Sequence, residues 1–284
     1  MPFTSTMSEE ALPPGLYVVA TPIGNLGDFS PRAAETLRRA DLVLAEDKRV
    51  SAKLLAHASA KAPMSTYHDH TSEVERDRIV ARLGSEAIAL VSDAGTPLIS
   101  DPGYKLVRAA RDAGHPVFTI PGPSAAVAAL TLAGLPTDRF LFAGFLPAKA
   151  KARADAVAEL AAVRATLIFY ESGPRLGDAL AALGAELGER DAAVVREISK
   201  LHEECVTGTL AELGERYADA APKGEIVIVV GPPAEAAQAS DEDLDAALDE
   251  ALKSLSPSRA AAEVAAQLNI PRKRAYARAL ERSQ

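Results

Sequence analysis

The run Leu90-Val-Ser-Asp-Ala-Gly-Thr-Pro-Leu-Ile-Ser-Asp-Pro-Gly103 gathers more hydrogen-bonding groups and small residues than a plain connection needs. Ser92, Asp93, Gly95 and Thr96 follow directly on the apolar Ala87–Val91, which reads as a buried strand. Asp101-Pro102 then reads as the cap and first residue of a helix over Tyr104–Asp112. Loops between strand and helix usually span about 2–6 residues. This longer one marks a ligand site at the carboxyl end of a strand, where α/β sheets bind their ligands. Further groups with chemical potential are Glu46-Asp47-Lys48-Arg49 and His68-Asp69-His70, both at expected strand ends. Glu46, Asp47, His68, Asp69 and Asp93 are candidates to take a proton, and Arg49 to hold a phosphate. For Glu46-Asp47 the competing role is capping of the next helix. Two His and one Asp in succession is poor ligand spacing, so no metal is expected. No Ser-His-Asp set stands out.

The elements that must carry these residues alternate as strand and helix. Strands are expected at Leu16–Ala20, Asp41–Ala45, Met64–Tyr67, Ala87–Val91 and Pro116–Ile120. Helices are expected from Ser30-Pro31 to Arg39 and over Ser51–His57, Arg76–Leu83 and Tyr104–Asp112. That order predicts a mostly parallel sheet covered on both faces. The loop Thr21-Pro-Ile-Gly-Asn-Leu-Gly-Asp28 bears glycine but is not G-x-G-x-x-G, which argues against a nicotinamide Rossmann enzyme. Pro121-Gly-Pro-Ser124 breaks the pattern, and Ser124 opens an Ala-rich helix to Ala133. Beyond it come strands Phe140–Phe145, Thr166–Tyr170, Ala193–Ile198, Cys205–Thr209 and Glu225–Val230, with two clear helices near Ala152–Val163 and Arg175–Leu187. The third and fourth strands of this set suit a hairpin in a mixed sheet.

The fold class expected is therefore α/β: two α/β domains, 15–122 and 123–233, after a disordered leader over 1–14. Residues 234–284 form a linker and a helical module resembling a helix-turn-helix. Leu244, Leu248 and Leu252 give one helix its apolar stripe, and Asn269-Ile-Pro271 separates the two that follow. From Ser256 onward Arg259, Arg272, Lys273, Arg274, Arg278 and Arg282 face only Glu263 and Glu281. A solvated basic face and a nucleic-acid contact fit this equally. Lys149, Lys151 and Arg153 at an expected helix start oppose the helix dipole and suggest an RNA contact. Arg175 is a weaker candidate of the same kind.

Across 284 residues the net charge is −8, so any polyanion contact must be local rather than global. The single cysteine, Cys205, excludes an intrachain disulfide and suits a reducing cytosol. No apolar run approaches the ~18 residues of a membrane span, and the N-terminus lacks the pattern of a secretory signal.

Six motifs in register now combine. They are Leu16-Tyr-Val-Val-Ala-Thr-Pro-Ile-Gly-Asn-Leu, Ala45-Glu-Asp-Lys-Arg, the Val91–Gly103 run, Ile120-Pro-Gly-Pro-Ser-Ala, Gly144-Phe-Leu-Pro and Phe169-Tyr-Glu-Ser. Together they closely resemble the ribosomal RNA small subunit methyltransferase I family, of the tetrapyrrole-methylase-like class. Lys48 stands where that family usually has Thr, and Thr71 where Asn is common. The resemblance implies two α/β domains with S-adenosylmethionine (SAM) in the cleft between them, a homodimer, and a cytoplasmic enzyme. It implies methyl transfer to the ribose 2′-hydroxyl of a cytidine in the decoding region of 16S rRNA, with the assembled small subunit as partner. It places SAM against Ile23, Ala94, Gly95, Thr96, Ile99, Ser124, Ala125, Tyr170, Glu171 and Ser199. Glu46, Asp47, His68 and Asp93 remain the catalytic candidates. Arg49, Lys149, Lys151, Arg153, Arg272, Lys273 and Arg274 remain the candidates for RNA. Two alternatives stay open: a tetrapyrrole methyltransferase of cobalamin or sirohaem synthesis, and a SAM-sensing nucleic-acid-binding regulator without turnover.

Overall fold

The computed structural model describes residues 11–219, 221–234, 240–268 and 270–283. Residues 1–10 of the expected leader lie outside them, as do 235–239 of the expected linker. The chain forms two compact units, one through Pro232 and one from Pro233 to Gln284.

The first sheet of the larger unit is built from β1 (Gly15–Val19), β2 (Leu42–Ala45), β3 (Met64–Thr66), β4 (Ala87–Val91) and β5 (Val117–Ile120). It is parallel throughout, in the order β3-β2-β4-β1-β5. The alternation of side chains along each strand sorts its residues to two faces. Tyr17, Val19, Val43, Ala45, Ala89 and Val91 meet α1 (Pro31–Arg39) and α2 (Lys48–His57) on one face. Leu16, Leu42, Leu44, Ile88 and Leu90 meet α3 (Glu73–Arg82) and α4 (Tyr104–Asp112) on the other. With apolar residues on both faces, β4 reads as a continuous hydrophobic run rather than an alternating one. Ser30 caps α1 by accepting from the Ala33 amide, with Pro31 at the first helical position, as expected.

The start of α4 differs from expectation. Its cap position is Gly103, at φ 138°, and no side chain caps it. A Cβ there would lie 2.7 Å from Leu90 and 2.9 Å from Leu98, so the chain needs glycine to bring the loop against the strand. Asp101 is thus free of the capping role that Asp-Pro suggested.

The second sheet follows α5 (Ala125–Leu132). It contains β6 (Phe140–Phe145), then α6 (Ala150–Ala158), β7 (Thr166–Ser172), α7 (Leu176–Leu187), β8 (Asp191–Arg196), β9 (Glu204–Thr209), α8 (Leu210–Tyr217) and β10 (Glu225–Val230). Its order is β6-β7-β10-β8-β9, with only β6 and β7 parallel. The expected hairpin is present as β8 and β9, paired Val194 to Val206. The helix α8 was not expected. Its eight residues are too few to display a helical period, yet Thr209 and Glu212 form a reciprocal capping box at its start. Leu167, Phe169, Ile226 and Ile228 pack under α7 and α8, while Ile168, Val195, Val227 and Val229 pack under α5.

The smaller unit is three helices: α9 (Asp241–Leu252), α10 (Pro257–Gln267) and α11 (Arg272–Arg282). Leu244 and Leu248 bury against Ala261, Val264, Ala275 and Ala279. Asp241, Asp245 and Asp249 meet Arg274, Arg278 and Arg282, each step one helical turn along both helices. This registers α9 parallel to α11.

Gly173, after β7, is buried, and a Cβ on it would fall on the carbonyl oxygen of Pro222. Gly173→Ala is expected to lower stability by about 1–3 kcal/mol, the usual cost of overpacking. Denaturant titration of wild type and variant checks this.

Candidate active site

The carboxyl ends of β1, β2 and β4 converge because β4 lies between β2 and β1. An antiparallel bridge joins the loops after β1 and β4: the Thr21 amide donates to Gly95 O at 2.8 Å, and the Gly95 amide to Thr21 O at 3.2 Å. The Thr21 hydroxyl, itself buried, adds bonds to Ser92 O and Gly95 O. The Thr96 hydroxyl donates to Pro123 O at 2.9 Å and ties in the loop after β5. Leu98 and Ser100 sit in the left-handed region at φ 76° and 65°. Such conformations persist where surrounding structure holds them, and they cluster at ligand sites.

This floor and the second sheet enclose a cavity of about 460 Å³. Its first wall holds Ile23, Ala94, Gly95, Thr96, Ile99, Ser124 and Ala125; Tyr170 and Glu171 close it from β7. Nine of the ten residues assigned to SAM by resemblance therefore share one cavity. The tenth, Ser199, lines an adjoining hollow with Ile23 and Ser124, and its hydroxyl bonds to Asp28. The Tyr170 ring is fixed by edge contacts with Phe142 and Phe145, and its hydroxyl accepts from the Ala126 amide at 3.2 Å.

The cavity is acidic. Glu46, Asp93, Asp101, Glu171 and Glu225 all line it. Asp101 is pushed up to about 6, first by burial and then by the charges of Glu46 and Asp93, against a hydrogen bond from Ser92. Glu46 is raised by burial and by Asp93 and Asp69, with His68 opposing. Glu171 is buried; its Oε1 accepts from the Ser172 amide at 2.8 Å and lies 3.3 Å from Arg175 Nε. Its Oε2 is buried with no hydrogen-bond partner among the described residues. A buried acceptor left in that state costs about 1–3 kcal/mol, more when charged, which a donor on a ligand would offset.

These features fit SAM. It is a sulfonium cation with an ammonium group, an adenosine and a carboxylate. The acidic wall suits its positive charge, the unpaired Glu171 Oε2 suits a donor, and Ile23, Ile99 and Phe145 provide apolar surface.

The other candidates separate. Asp47 is the helix cap: it accepts from the Arg49 amide at 2.8 Å and pairs with the Arg49 guanidinium at 2.7 Å, which hold its carboxyl down at about 2. Asp47 thus fills the capping role that competed with proton transfer. Asp93 Oδ1 accepts from the Asp47 amide at 3.1 Å, and its Oδ2 has no hydrogen-bond partner among the described residues. His68 is not in the cavity wall; its amide donates to Thr71 Oγ1 at 3.0 Å in a turn. Its imidazole contributes to the site through the field at Glu46.

Among the RNA candidates, Arg49, Lys149 and Lys151 are exposed, although Arg49 pairs with Asp47 and Lys151 with Asp155. Arg153 is a correction. It is 7% exposed, donates to Ala148 O and Asp178 Oδ2, and cannot present its charge to a ligand. Arg175 likewise donates to Leu146 O beside Glu171. In the helical unit Arg272 and Lys273 are exposed, whereas Arg274 is corrected to a tie with Asp241 at 2.7 Å.

Sequence reasoning missed Asp101, Phe145 and Glu225 in the cavity wall. Asp101 was masked by the capping signal of Asp-Pro. Glu225 begins a strand far away in sequence and carries no motif at all.

The family model for Tetrapyrrole (Corrin/Porphyrin) Methylases matches residues 15–214, and that for the RsmI C-terminal HTH domain matches 238–283. The Ribosomal RNA small subunit methyltransferase I of Erythrobacter litoralis (strain HTCC2594) is 57% identical, covering 96% of this chain and 97% of its own. That of Escherichia coli O157:H7 is 45% identical, covering 94% of both chains. Among solved structures, a diphthine synthase aligns with a TM-score of 0.60 at 17% identity, over 76% of this chain and 89% of its own. Uroporphyrin-III-C-methyltransferase from Thermus thermophilus aligns at 0.54 and 23%, over 76% and 93%. These two likenesses carry the fold of the larger unit.

The state of Asp101 gives a pH test. Its folded pKa, about 6, lies above the unfolded value of 3.8, so the fold favours the protonated form. That contribution is present below the unfolded pKa and is lost as pH rises through about 6. Asp101→Asn is expected to stabilise the protein at pH 8 by on the order of 1 kcal/mol, discounted for partial exposure, and not at pH 4. Thermal unfolding at the two pH values checks it.

Proposed function

Since the chain belongs to the ribosomal RNA small subunit methyltransferase I family, we propose that it methylates the ribose 2′-hydroxyl of a cytidine in the decoding region of 16S rRNA, with SAM as methyl donor. The observation that carries this reading is the extent of the match. It runs through both sheets and through the helical unit, at 43–57% identity to the relatives compared, whereas the tetrapyrrole enzymes share the fold at 16–23%. A helix-turn-helix module with exposed Arg259, Arg272 and Lys273 suits an RNA substrate and has no use in tetrapyrrole chemistry. The substrate is the assembled small subunit, the enzyme a cytoplasmic homodimer, and residues 15–122 and 123–233 its two α/β domains. No helix among the described residues is long and apolar enough to cross a membrane.

SAM supplies an electrophilic methyl carbon on sulfur. The protein's part is alignment, exclusion of water and removal of the acceptor's proton. Ala94, Gly95 and Thr96 hold one side of the donor, Ser124 and Ala125 a second, and Tyr170 with Glu171 a third. Ile23 and Ile99 keep water from the reacting atoms. Asp93 is the base: its Oδ1 is anchored by the Asp47 amide, which leaves Oδ2 to accept the 2′-hydroxyl proton. Glu46, raised by burial and then by Asp93 and Asp69, relays or shares that proton.

The test is transfer from labelled SAM to 30S subunits from cells lacking this protein, followed by mapping of the label. A 2′-O-methyl on a decoding-region cytidine is expected. Tight SAM binding with label on no RNA would overturn the reading in favour of a tetrapyrrole enzyme or a sensor. Asp93→Asn is expected to lower kcat about 100-fold or more with little change in SAM affinity. Single-turnover assay beside calorimetric titration of SAM checks this.

A further inference from the structure

A second cavity, of about 290 Å³, lies beside the first. The two share Ile23, Asp93, Ala94 and Glu225, so they meet at the proposed base. The outer wall of the second is α2, with Val50, Ser51, Lys53 and Leu54, and Leu26 stands in the loop after β1. Three features of this wall lack a partner. Leu26 and Val50 are large apolar side chains left 49% and 42% exposed. Ser51 is 2% exposed, yet its hydroxyl has no hydrogen-bond partner among the described residues. A buried helical serine ordinarily bonds back to a carbonyl of the preceding turn. Here Asp47 O takes only the Ser51 amide. Lys53 is exposed with no ion pair among the described residues.

The two cavities differ in charge. The first is lined by five carboxylates, which suits a cation. In the second, Glu225 is met by Lys200 at 2.6 Å, and Lys53 of α2 shares the wall with Asp93, so its carboxylates are matched by cations. A cationic donor is matched by the first chamber, and an acceptor with one phosphate can meet the unpaired Lys53 at the rim of the second, the two joined at Asp93. The volume is at the low end of the roughly 300–1,000 Å³ of ligand sites, the scale of one nucleotide rather than a duplex segment.

Taking the methyltransferase reading as given, we propose that the second cavity receives the acceptor nucleotide of single-stranded RNA. Its base lies on Leu26 and Val50, its phosphate faces Lys53, and its ribose sits at the seam beside Asp93. Apolar side chains accept any base face, and a cation at the rim meets the backbone. Ser51 gains the hydrogen bond that the protein alone does not provide.

Three variants test this in the full-length protein: Ser51→Ala, Lys53→Ala and the double variant Leu26→Ala/Val50→Ala. Each is assayed for KM and kcat on unmethylated 30S subunits, for SAM affinity by calorimetry and for Tm. The double variant is expected to raise KM for the subunit about tenfold, and Ser51→Ala and Lys53→Ala by about threefold or more. SAM affinity is expected to stay within about twofold of wild type. Tm of Ser51→Ala is expected to hold or rise, because the hydroxyl removed is unsatisfied; a merely structural serine would lower it without moving KM. An active wild type whose KM is untouched by all three overturns this assignment alone. Weakened SAM binding in the double variant also overturns it, by giving the cavity to the donor. A wild type inert on RNA removes the methyltransferase reading and this one together.

Discussion

The backbone bridge between Thr21 and Gly95 is the interaction on which the site depends. Parallel strands end with unpaired amides and carbonyls, and those groups need partners. In β1 and β4 the partners are each other's loops. The pairing draws the loop after β1 against the loop after β4, and Thr96 fastens both to the turn at Pro123. Ile23 and Ala94 thereby come side by side and form the boundary between two cavities. Without that clasp, the same residues would occupy two separate surface loops.

Charge is the second organising constraint. Burial raises the cost of each carboxylate around the hollow, and their mutual repulsion adds to it. The raised Glu46 and Asp101 record this cost. Arginines relieve it only at the edges, where Arg49 holds Asp47 and Arg175 lies against Glu171. Lys200 meets Glu225, and Glu46, Asp93 and Asp101 are left for a ligand to balance. Stability is thus given up at the place where a cationic donor would restore it.

The helical unit uses charge differently. Its acidic helix and its basic helix are registered by a ladder of ion pairs, Asp241 with Arg274, Asp245 with Arg278 and Asp249 with Arg282. Single exposed pairs contribute little, but a repeated set at helical spacing sets the alignment of two helices. Much of the positive charge that looks available for RNA is therefore spent on folding. What stays exposed without an ion pair among the described residues is Arg259 with Arg272 and Lys273 at the start of α11.

Local signals carried much of the architecture. Period-two and period-3.6 patterns with clear caps located nearly every strand and helix, and Ser30-Pro31 and the β8–β9 hairpin stand where they were expected. The short α8 escaped because eight residues cannot establish a period, and the cap of α4 because Asp-Pro imitates one that Gly103 supplies. Most of the cavity wall was legible because its residues sit in the motifs that carry the family resemblance. What the sequence by itself determined is this succession of elements and the residue types at their ends, since both follow from local patterns. Only the tertiary structure decided which charges are free. Arg153 is buried against Asp178, Arg274 is held by Asp241, and Asp101 and Glu225 meet in one wall across more than a hundred residues. Those outcomes depend on distance in space, which spacing along a chain does not encode.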